Sequence, residues 1–596
     1  MAHPPISQGK KQFSSEKPKE RRKILLRLFQ YLTKEKQLLF VVLILIIIGT
    51  LCNVGASYML RPIINDYIMP KRFDMLPQIL GILAGIYLAG LLSNWIQARI
   101  LNKVGERTVA NIRLDLFGKM EMLPVGYFDK HQHGELMSRY TNDMDRVSDA
   151  LTTTISDLLS NFLSLIGIII LMIYISPLLT LVTLTIVPLM FFAANLVIRK
   201  SSKYFKGQQE ALGKENGYIE EIITGQKVVK VFSHEKKVES EFDVFNEELQ
   251  DKSEKAQLYS GMMMPLMQNM NTLNFVLITI VGALLAIYRG LDLGGLAAFL
   301  QYSRQFGRPI NELASQYNSL QAAIAGAERI FQIIDEEPET ASDTQSPVTL
   351  HSEKMHGDII LECVSFGYNP EKQILKEISL HAVPGKKTAI VGSTGAGKTT
   401  IFNILPRFYD KQSGKIWMDG IPQEDIKRSD LRKMMALVLQ DTHLFTGTVM
   451  ENIRYGNLNA TDEEVIAAAK SAAAHSFIIR LPNGYQTLLK DDGSNLSQGQ
   501  RQLINIARAA IANPKILLLD EATSDVDTRT EILIQKGMDK LMEGRTSFVI
   551  AHRLSTVQNA DEILVLENGE IIERGTHQEL LKKGGRYKEL YTGQFE

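Results

Sequence analysis

The chain is 596 residues long, too long for a single domain, and its 66 Lys+Arg against 66 Asp+Glu give a formal net charge of +0. That balance supplies no global electrostatic footprint for a nucleic acid, and none is expected as a partner. The two cysteines, Cys52 and Cys363, exclude a disulfide framework and lack metal-ligand spacing, so both are expected to be small apolar fillers.

Residues 1–24 read as a polar, Lys-rich N-terminal tail lying in the cytoplasm. The apolar run that follows starts too late and runs too long for a cleaved signal peptide, and Glu16, Glu20 and the prolines argue against an organellar transit peptide. A span needs about 20 mostly apolar residues. Six runs meet that length: roughly 37–60, 76–97, 155–175, 177–198, 264–287 and 293–315, within a transmembrane domain at 25–335. Arg304, Arg308 and Glu312 interrupt the sixth. Either this helix lines a watery pathway, where intramembrane charge is tolerated, or it leaves the bilayer near Arg304.

Spans one and two, three and four, and five and six are joined by short links. The links after spans two and four, roughly 98–155 and 199–262, are long, charged and poor in turn signals, so the helices are expected to continue well past the bilayer. Basic residues crowd Lys17–Arg27 and both long links, which places all three in the cytoplasm. Arg61, Lys71 and Arg72, in a short link, are a mild exception. The fifth span opens with Met262, Met263, Met264 and Met267 beside Asn269 and Asn271. Flexible methionines suit either promiscuous apolar binding or ordinary helix packing.

A polar Ser/Thr/Pro-containing stretch at 336–357 reads as a linker, and 358–596 as a nucleotide-binding domain. There a β-branched strand runs into Gly392, Ser393, Thr394, Gly395, Ala396, Gly397, Lys398 and Thr399, with an apolar helix from Thr400. This G-x-x-x-x-G-K-T loop presents backbone N–H groups and a helix N-terminus to phosphate oxygens. Lys398 would bridge the β- and γ-phosphates and Thr399 would ligate Mg²⁺. A second apolar strand, Lys515 to Leu519, ends in Asp520 and Glu521. Asp520 is the expected Mg²⁺ partner and Glu521 the general base for the attacking water.

Between these motifs stands Leu496-Ser497-Gln498-Gly499-Gln500, which resembles the signature sequence of the ATP-binding cassette (ABC) family. Further elements follow in order. Tyr368 looks like the aromatic that stacks on adenine. Gln440 looks like the Q-loop glutamine that senses Mg²⁺ and the membrane domain. Ser524 to Asp527 resembles the D-loop, and His552 the switch histidine at the γ-phosphate. The resemblance implies a membrane all-α six-helix transmembrane domain joined to a cytoplasmic α/β P-loop ATPase. It resembles bacterial multidrug exporter half-transporters. In that family Val125–Asp129 and Glu220–Gly225 would belong to coupling helices. The signature of one chain would complete the ATP site of the other, so a second ABC half is implied.

Two departures bear on that partner. Gln498 stands where the signature commonly has Gly, and Asp525-Val526 where the D-loop has Ala-Leu, yet Glu521 is intact. This pattern resembles the catalytic-glutamate subunit of a heterodimer, which is expected here over a homodimer. The family implies ATP-driven export of amphipathic drugs or lipids by alternating access in the cell membrane. Two alternatives stay open: a ligand-sensing or regulatory membrane ATPase, and a siderophore importer with the exporter-like fold.

Overall fold

The computed structural model describes residues 21–343, 348–349, 355–369, 371–440, 442–520, 527–551 and 557–595. The chain divides into two compact units, one of residues 1–118 and 134–335, the other of residues 119–133 and 336–596. In chain order the helices up to the first strand include α1 (Arg21–Leu32), α2 (Lys36–Tyr58), α3 (Leu76–Met120), α4 (Val125–Lys130), α5 (Ile155–Ile175), α6 (Pro177–Thr224), α7 (Gln226–Phe232), α8 (Glu235–Gly261), α9 (Met263–Arg289) and α10 (Leu293–Asp335). Helix α4 belongs to the second unit.

Among the described residues, five helical stretches are long and apolar enough to cross a membrane: Lys36–Ile68, Phe73–Met120, His133–Ile175, Pro177–Thr224 and Glu235–Arg289. Each begins or continues beyond the run read from sequence, as the charged, turn-poor links predict. The sixth predicted run, 293–315, forms as part of one continuous helix, α10, but falls short of the other five in apolar character. Its charges are managed locally: Arg304 lies over the Phe275 ring at 4.2 Å, and Arg308 pairs with Glu312 at 2.7 Å one turn on.

The core of this unit gathers Val54, Ile168, Leu179, Ile278, Phe299 and Tyr302 from α2, α5, α6, α9 and α10. Polar contacts knit the same helices where no water is available to satisfy them. Tyr302 donates to the Val54 carbonyl at 2.7 Å, Gln305 to Ser57 at 3.0 Å and Asn274 to Ser303 at 3.1 Å. The exceptional Arg61 pairs with Asp292 at 2.6 Å, which neutralises it. Further along, α6 and α8 zip together through the buried Ala211 and Ala256, a stacked Tyr204–Tyr259 pair at 5.0 Å and a Lys214–Glu248 bridge at 3.0 Å. Helix α7 caps this pair, and Val228, Val231 and Phe232 on it are 60%, 78% and 64% exposed.

The second unit is an α/β fold. A four-stranded antiparallel sheet has β1 (Ile359–Phe366), β2 (Leu375–Ala382), β4 (Ser413–Met418) and β5 (Ile421–Pro422) in the order β2-β1-β4-β5. The main sheet has β3 (Lys387–Val391), β6 (Met435–Val438), β9 (Ile516–Asp520), β10 (Thr546–Ile550), β11 (Glu562–Glu567) and β12 (Glu570–Gly575) in the order β12-β11-β3-β10-β9-β6. A short ribbon of β7 (Gly447–Thr448) and β8 (Leu488–Leu489) stands apart. Apart from the antiparallel β11–β12 hairpin, the main sheet is parallel. Its near-continuous apolar strands fit burial on both faces: Ile516 to Leu519 are all fully buried. Phe402, Phe548, Ile390 and Ile416 fill the space between the sheets, and a separate apolar cluster around Leu503, Ile504, Val465 and Ile534 holds the helical part.

One expectation fails. Cys363 is exposed rather than a buried filler, while Cys52 is half-buried. The register of β1 slips between Leu361 and Val364, and Cys363 sits in that bulge at φ 45°, so its side chain is turned away from the core.

In the stretch read as a linker, Glu339 and Asp343 are held by arginines of the cassette fold. Arg428, with a side chain only 5% exposed, donates to Asp343 at 2.7 Å and to Asp410 at 2.9 Å. Arg432 grips Glu339 with a two-pronged contact at 2.5 and 2.8 Å.

Candidate functional site

The parallel strands converge on one edge, and the sequence motifs follow their C-terminal ends. The phosphate loop follows β3, Asp520 closes β9, and Gln440 comes two residues after β6. Ile390 pairs with Ile550 and Ile550 with Asp520, so the loop and the acid leave the sheet at the same level, with β10 between them. Ligands of open α/β sheets bind at this edge.

The loop opens into α11 (Lys398–Ile404). Gly397 has φ 103°, a conformation that favours glycine, and it turns the chain into the helix. Ser393, Thr394, Gly395 and Thr399 are exposed, Gly392 is partly so, and Ala396, Lys398 and Thr400 are buried. The result is an open cradle above a buried ammonium. Lys398 Nζ donates to the carbonyls of Gly392 at 2.8 Å and Ser393 at 2.9 Å. Burial pulls its pKa below the usual lysine value, and the nearby Asp520 carboxylate opposes that shift.

Tyr368 stands beside the loop helix. Asn403 donates to its hydroxyl at 2.8 Å, and the hydroxyl lies 3.5 Å from Thr400 Oγ1. Its ring is about one-third exposed, packed edge-on against Tyr409 at 5.0 Å, and available to stack on a planar group.

The signature segment is elsewhere. Ser497 caps α15, which spans Gln498–Ile511, where α12, α13 and α14 are Arg428–Lys433, Val449–Arg454 and Asp462–Ser471. Gln500 N–H donates to Ser497 Oγ at 3.3 Å, and Ser497 N–H donates to the Gln500 side chain at 3.0 Å. Leu496 and Gly499 are buried, Ser497 is exposed and Gln498 half-buried. Among the described residues no hydrogen bond joins 496–500 to 392–400. Asp527 caps α16 (Thr528–Met542) by accepting from Thr530 N–H at 3.0 Å, and these bonds hold its carboxyl below the usual range. Glu521, Ser524 and His552 lie outside the described residues.

Comparison with known proteins decides the family. Residues 39–310 match the ABC transporter transmembrane region and residues 375–524 the ABC transporter family. An ABC transporter ATP-binding protein of Bacillus subtilis, YfiC, whose function is uncharacterized, is 45% identical over 97% of this chain and 96% of its own length. This chain belongs to the ABC transporter family. A fatty acid ABC transporter ATP-binding/permease protein of Mycobacterium tuberculosis is 42% identical over 87% of this transporter and 81% of its own length. An ATP-dependent lipid A-core flippase of Syntrophus aciditrophicus is 34% identical over 93% and 91%. The transporter is thus a half-transporter with membrane and ATPase parts fused in one chain, and it couples ATP hydrolysis to transport.

In this transporter, Val125–Asp129, expected from the family resemblance as a coupling helix, forms α4, while its neighbours Tyr409 and Asn403 escaped the sequence reading. Helix α4 packs within the ATPase unit, where the Tyr409 hydroxyl donates to Asp129 at 2.5 Å. A Cβ on Gly126 would come within 2.7 Å of the Tyr409 ring, so only glycine permits this seating. Burial and the bond to Asp129 push the Tyr409 phenol well above its ordinary pKa, so it remains a donor. Asp129, Tyr409, Tyr368 and Asn403 therefore form one continuous path from α4 to the loop helix. A Tyr-Asp pair 280 residues apart in sequence has no local signal.

Lys398→Met is expected to weaken ATP binding by about ten- to a hundredfold, the worth of a charge-assisted hydrogen bond. Nucleotide titration of the reconstituted protein checks this, and an unchanged affinity would place the phosphates elsewhere.

Proposed function

We propose that this chain is half of a dimeric exporter that moves amphipathic small molecules, drugs or lipids, out through the cell membrane by alternating access. The observation that carries it is the fusion of a helical unit with membrane-length apolar helices, cored by hydrogen-bonded polar side chains, to a phosphate-loop edge. The relatives named for fatty acid transport and lipid A-core flipping make lipid-like cargo the reading with most support. The N-terminus, the long helical links and the ATPase unit would all face the cytoplasm.

At the ATP site, Tyr368 would stack on the base. The backbone from Gly392 to Gly397, with Thr400, would enclose the phosphates, and Lys398 would reach the β- and γ-oxygens. The Thr399 hydroxyl, the Asp520 carboxylate and the Gln440 amide are hard oxygen donors at one edge, and they fit Mg²⁺. Bound there with ATP, the ion would neutralise phosphate charge. Glu521 would accept the proton of the water that attacks the γ-phosphorus as the bond to the β-phosphate oxygen breaks. His552 would contact the γ-phosphate.

The signature, Leu496 to Gln500, with Ser497 exposed, would serve the partner's site, with Ser524 and Asp527 beside that contact. The exposed apolar tip at Val228, Val231 and Phe232 would dock on the partner's cassette. Gln498 and Asp525-Val526, with Glu521 retained, favour a heterodimer in which this chain supplies the hydrolytic glutamate. ATP favouring one of two membrane conformations over the other would drive the cycle.

The test is hydrolysis and flux by the chain alone in sealed proteoliposomes. Little hydrolysis from a folded, ATP-binding chain, restored by a co-purified second half together with flux of a fluorescent lipid, is expected. Robust activity alone would establish a homodimer. Hydrolysis without any flux from the assembled dimer would overturn export in favour of a sensor.

A further inference from the structure

We infer that the groove under the first helix is a binding site for an anionic phospholipid drawn from the adjoining leaflet. The groove, of about 540 Å³, lies wholly within the membrane unit, between α1, residues 150–155 and the second half of α10. That volume falls within the range of about 300–1,000 Å³ typical of small-molecule sites. It is too apolar for a soluble metabolite: Leu28, Phe29, Leu151 and Ile324 contribute to its walls.

Three observations fix the occupant. The first is depth. The groove lies just before the apolar runs 37–60 and 155–175 read as the first and third spans, and odd-numbered spans begin on the same side. It therefore opens at one membrane surface, where an acyl chain can enter sideways. The second is the helix itself. Ile24, Leu28 and Leu32 are buried against the protein, while Leu25, Leu26 and Phe29 are 41%, 54% and 58% exposed. A helix with apolar side chains left over after packing, and Arg21 and Arg22 one turn before them along the same groove, suits the membrane interface.

The third is charge. Arg27 is spoken for, paired with Asp335 at 2.6 Å and stacked on Phe331 at 4.3 Å. Arg21 and Arg22, at the end of the groove, have no acidic partner among the described residues. Two guanidinium groups with no acidic partner among the described residues, beside an apolar slot, match a phosphodiester head on an acyl tail, since guanidinium forks suit phosphate oxygens. Because the bound lipid would touch both α1 and α10, it would brace the helix that leads out of the membrane unit.

Native mass spectrometry of the full-length protein, offered equal phosphatidylglycerol and phosphatidylcholine of matched chains, reads this directly. Preferential retention of phosphatidylglycerol is expected. The surface double variant Arg21→Gln/Arg22→Gln should lower it about twenty-fivefold, at about fivefold for each basic residue near an anionic headgroup. Leu320→Trp, which fills the groove and leaves both arginines, should also abolish retention. Equal retention of the two lipids, or retention unchanged in both variants, overturns the site. So does uptake that occurs only after residues 1–20 are removed, because the chain's own tail would then be the occupant.

Discussion

Glu521→Gln is expected to lower ATP hydrolysis by about 10²–10⁴-fold while leaving ATP bound, the effect of removing a general base without changing shape. The argument begins with β9. Four fully buried residues, Ile516 to Leu519, fix the strand in the middle of the parallel sheet, and Asp520 ends it beside the Lys398 field. The next residue in the sequence, Glu521, is an acid one position past a strand that ends at the edge used by the phosphate loop. Glutamine can still hold a water by hydrogen bonding, but it cannot take the proton that the attacking water must lose. Phosphate release by the assembled dimer, measured beside nucleotide binding, separates the two effects. Turnover within tenfold of the parent would place the base outside this chain.

Arg428→Ala is expected to destabilise the ATPase unit by about 3–5 kcal/mol, the usual consequence of removing one member of a buried ionic cluster. Its guanidinium holds Asp343, Asp410 and the Arg407 carbonyl at 2.7, 2.9 and 2.8 Å. Its loss leaves the Asp343 carboxylate, whose side chain is only 13% exposed, with the longer Arg407 contact at 3.5 Å in place of the 2.7 Å bond. Arg432, with a side chain 31% exposed, makes a comparable grip on Glu339 where water can replace it, so Arg432→Ala should cost only about 1 kcal/mol. The chain has two tryptophans, and Trp417 lies on β4. In a Trp95→Phe background, denaturant unfolding followed by Trp417 fluorescence reports this unit. Equal losses in the two arginine variants would show that burial does not set the difference.

Sequence legibility followed the range of the interactions. Five spans were readable because a membrane helix must be apolar over a whole window, whatever its neighbours. The sixth was ambiguous for a definite reason: Arg304 and Arg308 are compensated by Phe275 on another helix and by Glu312 one turn away, and only the latter pairing is local. The phosphate loop, the capped signature helix and the acidic end of β9 depend on spacing within a few residues, and all were located. Helix α4 is six residues long, too short to show periodicity, so Val125–Asp129 was found through the family resemblance alone, and its seating against a tyrosine far along the chain was not. The grip of Arg428 on Asp343 likewise joins residues 85 apart, which is why 336–357 read as an open tether. Cys363 was misplaced because a β-bulge reverses the side-chain alternation on which strand burial is judged.

The tip of the α6–α8 pair also has a consequence for how the protein is made. Val231 and Phe232 on α7, with Ile223 just before it, face water on a single chain. Exposed apolar side chains at the end of a stiff helical rod are what chaperones and proteases bind. A newly synthesised copy thus carries its own mark of incompleteness until a mate covers it. If the proposed second half covers this tip, copies made without it are expected to be held by chaperones or degraded, and co-expression of that half should lengthen their lifetime.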